Sequence, residues 1–347
     1  MALTQRGKIV IGVVVAAIVA VFAVLAFTGN APGPLQGIVD TVTGRPDPCP
    51  LTGERRAGGK DAPPRPALTV KVENTEDAYP LAGLERADVI YEEPVEGGIT
   101  RFAALFQCRD APRVGPVRSA RTTDQKILSA LGDEPLLAYS GAHPRVASGL
   151  DEAGVVSLTE TTANEAYERD DARFAPHNLF TSTKMLHRIA KRMGADLSRP
   201  GALFGYDEDR PDPSKPRTSA TVAFSTSNVV GWTWSGGRWV RQLDGAPMLA
   251  ENGTEIAVDN VVIQEVVVTD SDIVDVAGFP SPEVKLIGQG RAWVLRDGRL
   301  VIGRWRRASL GEVTVFETKA GEEIALAPGT TFVELMPKDD GGVTFER

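Results

Sequence analysis

Three observations predict a mixed, α+β chain: an N-terminal α/β domain, then a smaller and mainly β domain, with one transmembrane helix ahead of both. The run from Ile9 to Phe27 carries no charge; strand-like alternation interleaves with helical spacing from about residue 66 to 205; and beyond 218 only short strand-like runs appear, separated by turn pairs.

The first element is the apolar run. As a helix, residues 9–27 would cover roughly 28 Å of hydrocarbon. Arg6 and Lys8 precede it and the next basic residue is Arg45, so the positive-inside rule makes 1–8 a cytoplasmic tip and the rest extracytoplasmic. The expected location is the cell membrane, in single-pass form. A cleaved signal peptide is the competing reading, although its apolar core is normally shorter. No cysteine follows the run closely enough for a lipoprotein anchor, since the first is Cys49. Residues 28–65, rich in Gly, Pro and Asp, read as a tether.

Cys49 and Cys108 are the only cysteines. In an oxidising compartment a disulfide between them is the simplest reading; two free thiols or a surface metal contact are the alternatives, and neither has a motif. A net charge of −8 with a pI near 5.2 opposes general nucleic-acid binding, which needs a basic face. Ordinary apolar (42%) and charged (24%) fractions indicate that the body folds.

From Pro66 the segments LTVKVEN, ADVIYEEPV, ITRFAALFQ and LLAYSG read as strands. Asp124–Leu131, His143–Leu150 and Ser182–Met193 read as helices, the last ended by Gly194. Together they make the α/β domain, 66–205. The proline- and charge-rich stretch 206–217 reads as a linker. The β domain, 218–347, contains Gly236-Gly237 and Asp297-Gly298 as hairpin turns. Trp232, Trp234 and Trp239 flank the first of these, as core or as a sugar-binding cluster.

The densest polar stretch is EEPVEGGITRF followed by RVGPVRSARTTD. Arg101, Arg118 and Arg121 offer guanidinium forks, and the loop entering a helix near Thr122 offers backbone N–H groups; both suit phosphate or carboxylate. The plain alternative is a structural ion-pair network with Glu92, Glu93 and Glu96. His143, His177 and His187 are the only histidines. His143 follows a strand and His177 precedes an extended stretch, and both are candidate acid/bases, or they merely hydrogen-bond their neighbours; His187 reads as a solvated helix residue. There is no G-x-S-x-G, P-loop, G-x-G-x-x-G, H-E-x-x-H or EF-hand loop, so neither a cofactor nor a metal site is expected.

CPLTG, ADVIYEEPVEGGITRF, VGPVRSAR and APHNLF, together with NVVI and PGTTFVEL further on, resemble the YerB-like family of bacterial cell-surface proteins. The resemblance spans roughly Cys49 to Pro337. It implies two domains and a surface location, with members anchored by lipid or by a helix, and it assigns no reaction. It gathers Glu93, Glu96, Thr100, Arg101, Arg118, Ser119, Arg121, His177 and Asn178 into one expected pocket. The leading expectation is a membrane-anchored envelope protein that binds an anionic group, such as a phosphorylated or carboxylated wall polymer, through the arginines with Thr100, Ser119 and Asn178. One alternative is a wall-glycopolymer hydrolase or transferase using Glu93 or Glu96 with His177. Another is a scaffold for a second envelope protein.

Overall fold

The computed structural model describes residues 46–209, 214–275 and 278–347. The expected cytoplasmic tip 1–8, transmembrane helix 9–27 and first part of the tether, 28–45, lie outside the described residues, as do 210–213 of the expected linker. Among the described residues no helix is long and apolar enough to cross a membrane.

Two compact units are present. In the smaller, Arg55 Nη1 donates to the Pro46 carbonyl (2.6 Å) and the Ala62 N–H to the Asp47 carbonyl (3.2 Å). The larger holds Cys49–Glu54 and everything from Pro63 on. Its first half runs β1 (Leu68–Asn74), β2 (Val89–Pro94), β3 (Thr100–Phe106), α1 (Thr122–Leu128), β4 (Leu136–Ala138), α2 (Pro144–Glu152), β5 (Val156–Leu158), β6 (Tyr167–Arg169), β7 (Leu179–Thr181) and α3 (Thr183–Arg192). Its second half begins with β8 (Lys215–Pro216), β9 (Ser219–Ala223), β10 (Val229–Ser235), β11 (Arg238–Leu243), β12 (Ala246–Pro247), β13 (Ala257–Val258) and β14 (Asn260–Val266). It continues with β15 (Val268–Val274), β16 (Pro280–Val284), β17 (Gly288–Arg296), β18 (Arg299–Arg307), β19 (Val315–Glu317), β20 (Thr331–Pro337) and β21 (Gly342–Glu346).

This order corrects the expected fold class. Among the described residues strands hold 41% and helices 13%, so the structure is mostly β and shows no clear α/β domain. The physical reason lies in the connections. β1, β2 and β3 are joined by 3₁₀ turns rather than α-helices, and both β1 and β2 pair antiparallel with β3. Only β4 and β5, three residues each, follow the parallel pattern.

The large sheet runs β19-β18-β17-β14-β20-β2-β3-β1-β4-β5, with β8 on β18. β20 lies between β14 and β2, parallel to both. A second sheet, β12-β11-β10-β9-β21 with β13 on β11, packs against one face of the first. Leu68, Val70, Val72, Ile90, Phe102 and Phe332 of the first meet Val222, Trp232 and Trp239 of the second in one core. Trp232 and Trp239 are fully buried there. The opposite face carries Val89, Tyr91, Ala103 and Leu105 under Ile127 and Leu128 of α1 and Val146 and Leu150 of α2.

Local chemistry explains the short elements. α3 buries Leu186, Ile189 and Ala190 on one side, places Lys191 and Arg192 in its last turn, and stops before Gly194 at φ 86°. Gly236-Gly237 and Asp297-Gly298 all take positive φ in two-residue hairpins, the turn whose twist matches paired strands. The Cys49–Cys108 disulfide forms, with its Cα atoms 5.9 Å apart. It fixes Leu51 and Thr52, both buried, against the body.

Candidate functional site

Strand alternation sends Val70, Val72 and Phe102 to the inter-sheet core and Lys71, Glu73, Glu93 and Arg101 to the other face. Register then aligns Glu73, Arg101 and Glu93 as direct cross-strand neighbours. Charges buried this far from water need partners. Lys71 Nζ supplies one by bonding Glu93 Oε1 and lying 2.8 Å from Asp124 Oδ1 of α1. Burial, then the Asp124 charge, pushes the Glu93 carboxyl up to about 7, with Lys71 opposing. Glu96, on the turn after β2, accepts from Arg121 Nη2 (2.6 Å) and Nε (2.9 Å) and from the Ser281 hydroxyl of β16. Burial works to raise the Glu96 carboxyl, but the bonds from Arg121 and Ser281 outweigh it and hold the group below its usual range. Glu73 faces His177 Nδ1 at 3.0 Å through Oε2, and Arg118 Nε at 3.4 Å through Oε1.

The loop that presents the arginines is held from both sides. The Arg118 N–H donates to the Lys71 carbonyl (3.0 Å), the Ser140 N–H to the Arg118 carbonyl (3.0 Å), and the Ala120 N–H to the Gly141 carbonyl (2.9 Å). At Gly115 the loop passes so close to β7 that a Cβ would lie 2.7 Å from the Leu179 carbonyl oxygen, at a φ of 149°. The outcome is a cluster of guanidinium groups. Arg101 is only 8% exposed, its side chain donates from Nη1 to the Ser119 carbonyl (3.3 Å), and among the described residues no carboxylate lies within 4.0 Å of it. Burial, with Arg121 and Arg118 nearby, lowers its pKa to about 10, which still leaves it cationic at neutral pH. Arg118 and Ser119 are partly exposed, so the cluster is open to solvent on their side.

Glu93, Glu96, Arg101, Arg118, Ser119, Arg121 and His177 are thus linked on one face of the sheet. Thr100 points to the other face, where it joins Glu92 (2.6 Å) and Asn74 (2.7 Å). Asn178 accepts from Arg169 Nη1 at 3.0 Å. The expected pairing of Glu93 or Glu96 with His177 is not seen, because Lys71 and Arg121 hold the two glutamates and Glu73 holds the histidine. At the start of α1 the Arg121 N–H is taken by Asp124 Oδ2 at 2.7 Å. His187 is half-buried, neither ring nitrogen is hydrogen-bonded among the described residues, and burial lowers it to about 4, unlike the solvated residue expected. The sequence reading missed Lys71, Glu73 and Ser281. Two of these were signalled by charges at alternate positions of LTVKVEN; the third comes from a distant hairpin and left no local trace.

Residues 51–196 match the family model described as "Protein of unknown function (DUF3048) N-terminal domain", and residues 220–333 match its C-terminal domain. The chain belongs to the YerB-like family. "Putative lipoprotein YerB" of Bacillus subtilis (strain 168) is 25% identical over 299 residues, spanning 84% of this chain and 87% of that relative. The crystal structure of YerB from Bacillus subtilis superposes with a TM-score of 0.73 at 24% identity, over 86% of this chain and 99% of that one, so the fold is shared. In this YerB-like chain the two family regions meet in the large sheet, where β2 of the first pairs with β20 of the second. The single-pass membrane location expected from the sequence is not upheld. Among the described residues no helix can span a bilayer, and the relative's name is that of a lipoprotein.

Proposed function

We propose that this YerB-like protein is an extracytoplasmic, membrane-associated protein that binds an anionic group, phosphate or carboxylate, at Arg101, Arg118 and Arg121. The disulfide supports an oxidising location, as does the lipoprotein name of the relative. The observation that carries the ligand reading is Arg101, a buried guanidinium with no carboxylate within 4.0 Å among the described residues, beside two more of its kind. A buried cation in that position is stabilised when an anion occupies the space beside it.

The test is calorimetric titration of the full-length chain with inorganic phosphate and with acetate at low and moderate salt. Saturable binding that weakens roughly 10- to 100-fold in Arg118→Ala supports the site, in line with the loss of a charged hydrogen bond. Absence of binding to both anions, or binding indifferent to Arg118→Ala, would leave the arginines as structural ions. A second reading adds chemistry: Glu73 orients His177 as an acid/base beside Arg118. It requires turnover that His177→Ala abolishes while phosphate affinity stays unchanged.

A further inference from the structure

We propose that the anionic group bound at the arginines is carried by a sugar ring, and that the ring is received on the face of Phe174. The inference rests on the anion site above and names the class of molecule it would take. Phe174 is 90% exposed, far more than any other large apolar residue among those described. A solitary exposed apolar side chain on a slack loop needs no explanation, but this loop is tied down. The Asp170 N–H donates to the Asn178 carbonyl (2.8 Å), closing the loop at its base. Asp170 Oδ1 accepts the Ala172 N–H (3.0 Å). The guanidinium of Arg173, next to Phe174 in the chain, donates to the carbonyls of Ala78 (2.9 Å) and Pro80 (2.8 Å) and bonds Glu251. The backbone is therefore anchored on one side of Phe174 while its ring stands in water.

On the other side, three residues along the chain, lies His177. The His177 N–H donates to the Phe174 carbonyl (2.9 Å) in a tight turn, which brings the two Cα atoms within about 7 Å. His177 is joined through Glu73 to Arg118. An exposed aromatic ring one turn from His177, which reaches Arg118 through Glu73, supplies two complementary features: the electron-rich face attracts the polarised C–H groups of a pyranose, and the cations hold the acidic substituent. His177 is partly exposed between them, within reach of a ring hydroxyl. Because the loop is already ordered, little conformational freedom is lost when the ring is covered.

The experiment compares three probes on the full-length chain: inorganic phosphate, glycerol 3-phosphate and glucose 1-phosphate. Each is titrated into wild type, Phe174→Ala and Phe174→Trp. The exposed position leaves the fold intact in both variants. Glucose 1-phosphate is expected to bind roughly fivefold or more tightly than the two ringless probes. Phe174→Ala should remove that increment without changing phosphate affinity. Phe174→Trp should keep it and report binding by a change in tryptophan emission. Equal affinity for all three probes in wild type, or an increment that survives Phe174→Ala, overturns the sugar inference and leaves the anion site standing. A Phe174-dependent gain for a nucleoside monophosphate but not for glucose 1-phosphate overturns it in favour of a base. If no probe binds wild type, the anion site itself fails and the sugar platform falls with it.

Discussion

Glu93 shows how the site's own charges set its pH response. Its folded pKa is raised from 4.5 to about 7, so the folded state keeps a proton that the unfolded chain releases. Stability from this group is fully present below pH 4.5 and is lost as pH rises through 7. Glu93→Gln keeps a neutral side chain at every pH, so its urea midpoint relative to wild type should improve between pH 5 and pH 8. An unchanged difference would mean that Lys71 holds Glu93 ionised throughout. His187, lowered to about 4, gives the opposite slope, but it is common to both proteins and cancels in the comparison. At this scale the sequence was partly legible. The arginines and glutamates announced themselves by density around glycine and proline, whereas their partners did not. Asp124 read as a helix start, and only the fold turns its Oδ1 toward Lys71. Thr100 lay next to Arg101 in the chain, and the period of two that buries one on this face sends the other away.

Among the elements, the loop from Gly115 to Arg121 carries the most consequence for binding. Gly115→Ala would press a methyl against the Leu179 carbonyl and the Phe180 ring at a backbone angle that side chains avoid. The expected cost is about 1–3 kcal/mol, read in thermal or urea unfolding, together with weaker phosphate binding as Arg118 shifts. Full retention of both would show that the loop relaxes without moving the arginine. Local signals located the three helices within a few residues and both two-residue hairpins, because caps, turn glycines and apolar spacing act over short distances. The same signals misled on fold class. A strand followed by helical spacing looks like the start of a crossover, yet β1 to β3 return by 3₁₀ turns too short to be told from loops by periodicity.

For the molecule as a whole, the decisive contacts join the two family regions. Arg241 of β11 is buried between Glu92 of β2 (2.8 Å) and Glu334 of β20 (3.0 Å), and Trp232 donates to the same Glu334 (2.8 Å). A fragment ending at residue 209 would leave β2 with an unpaired edge and Glu92 without its cation. It should aggregate or remain unfolded by circular dichroism, and recover when produced together with 214–347; a soluble, cooperatively melting fragment would show that the first region closes alone. No periodicity within either half foretold this pairing, because parallel neighbours leave no mark on the sequence between them. The position of β20 also bears on biosynthesis. Val89 pairs with Thr331, so the middle of the large sheet stays open until synthesis has passed β20. A polypeptide exported in extended form must not close its fold early, and a keystone strand placed this far downstream of β2 postpones closure until β20 too has crossed.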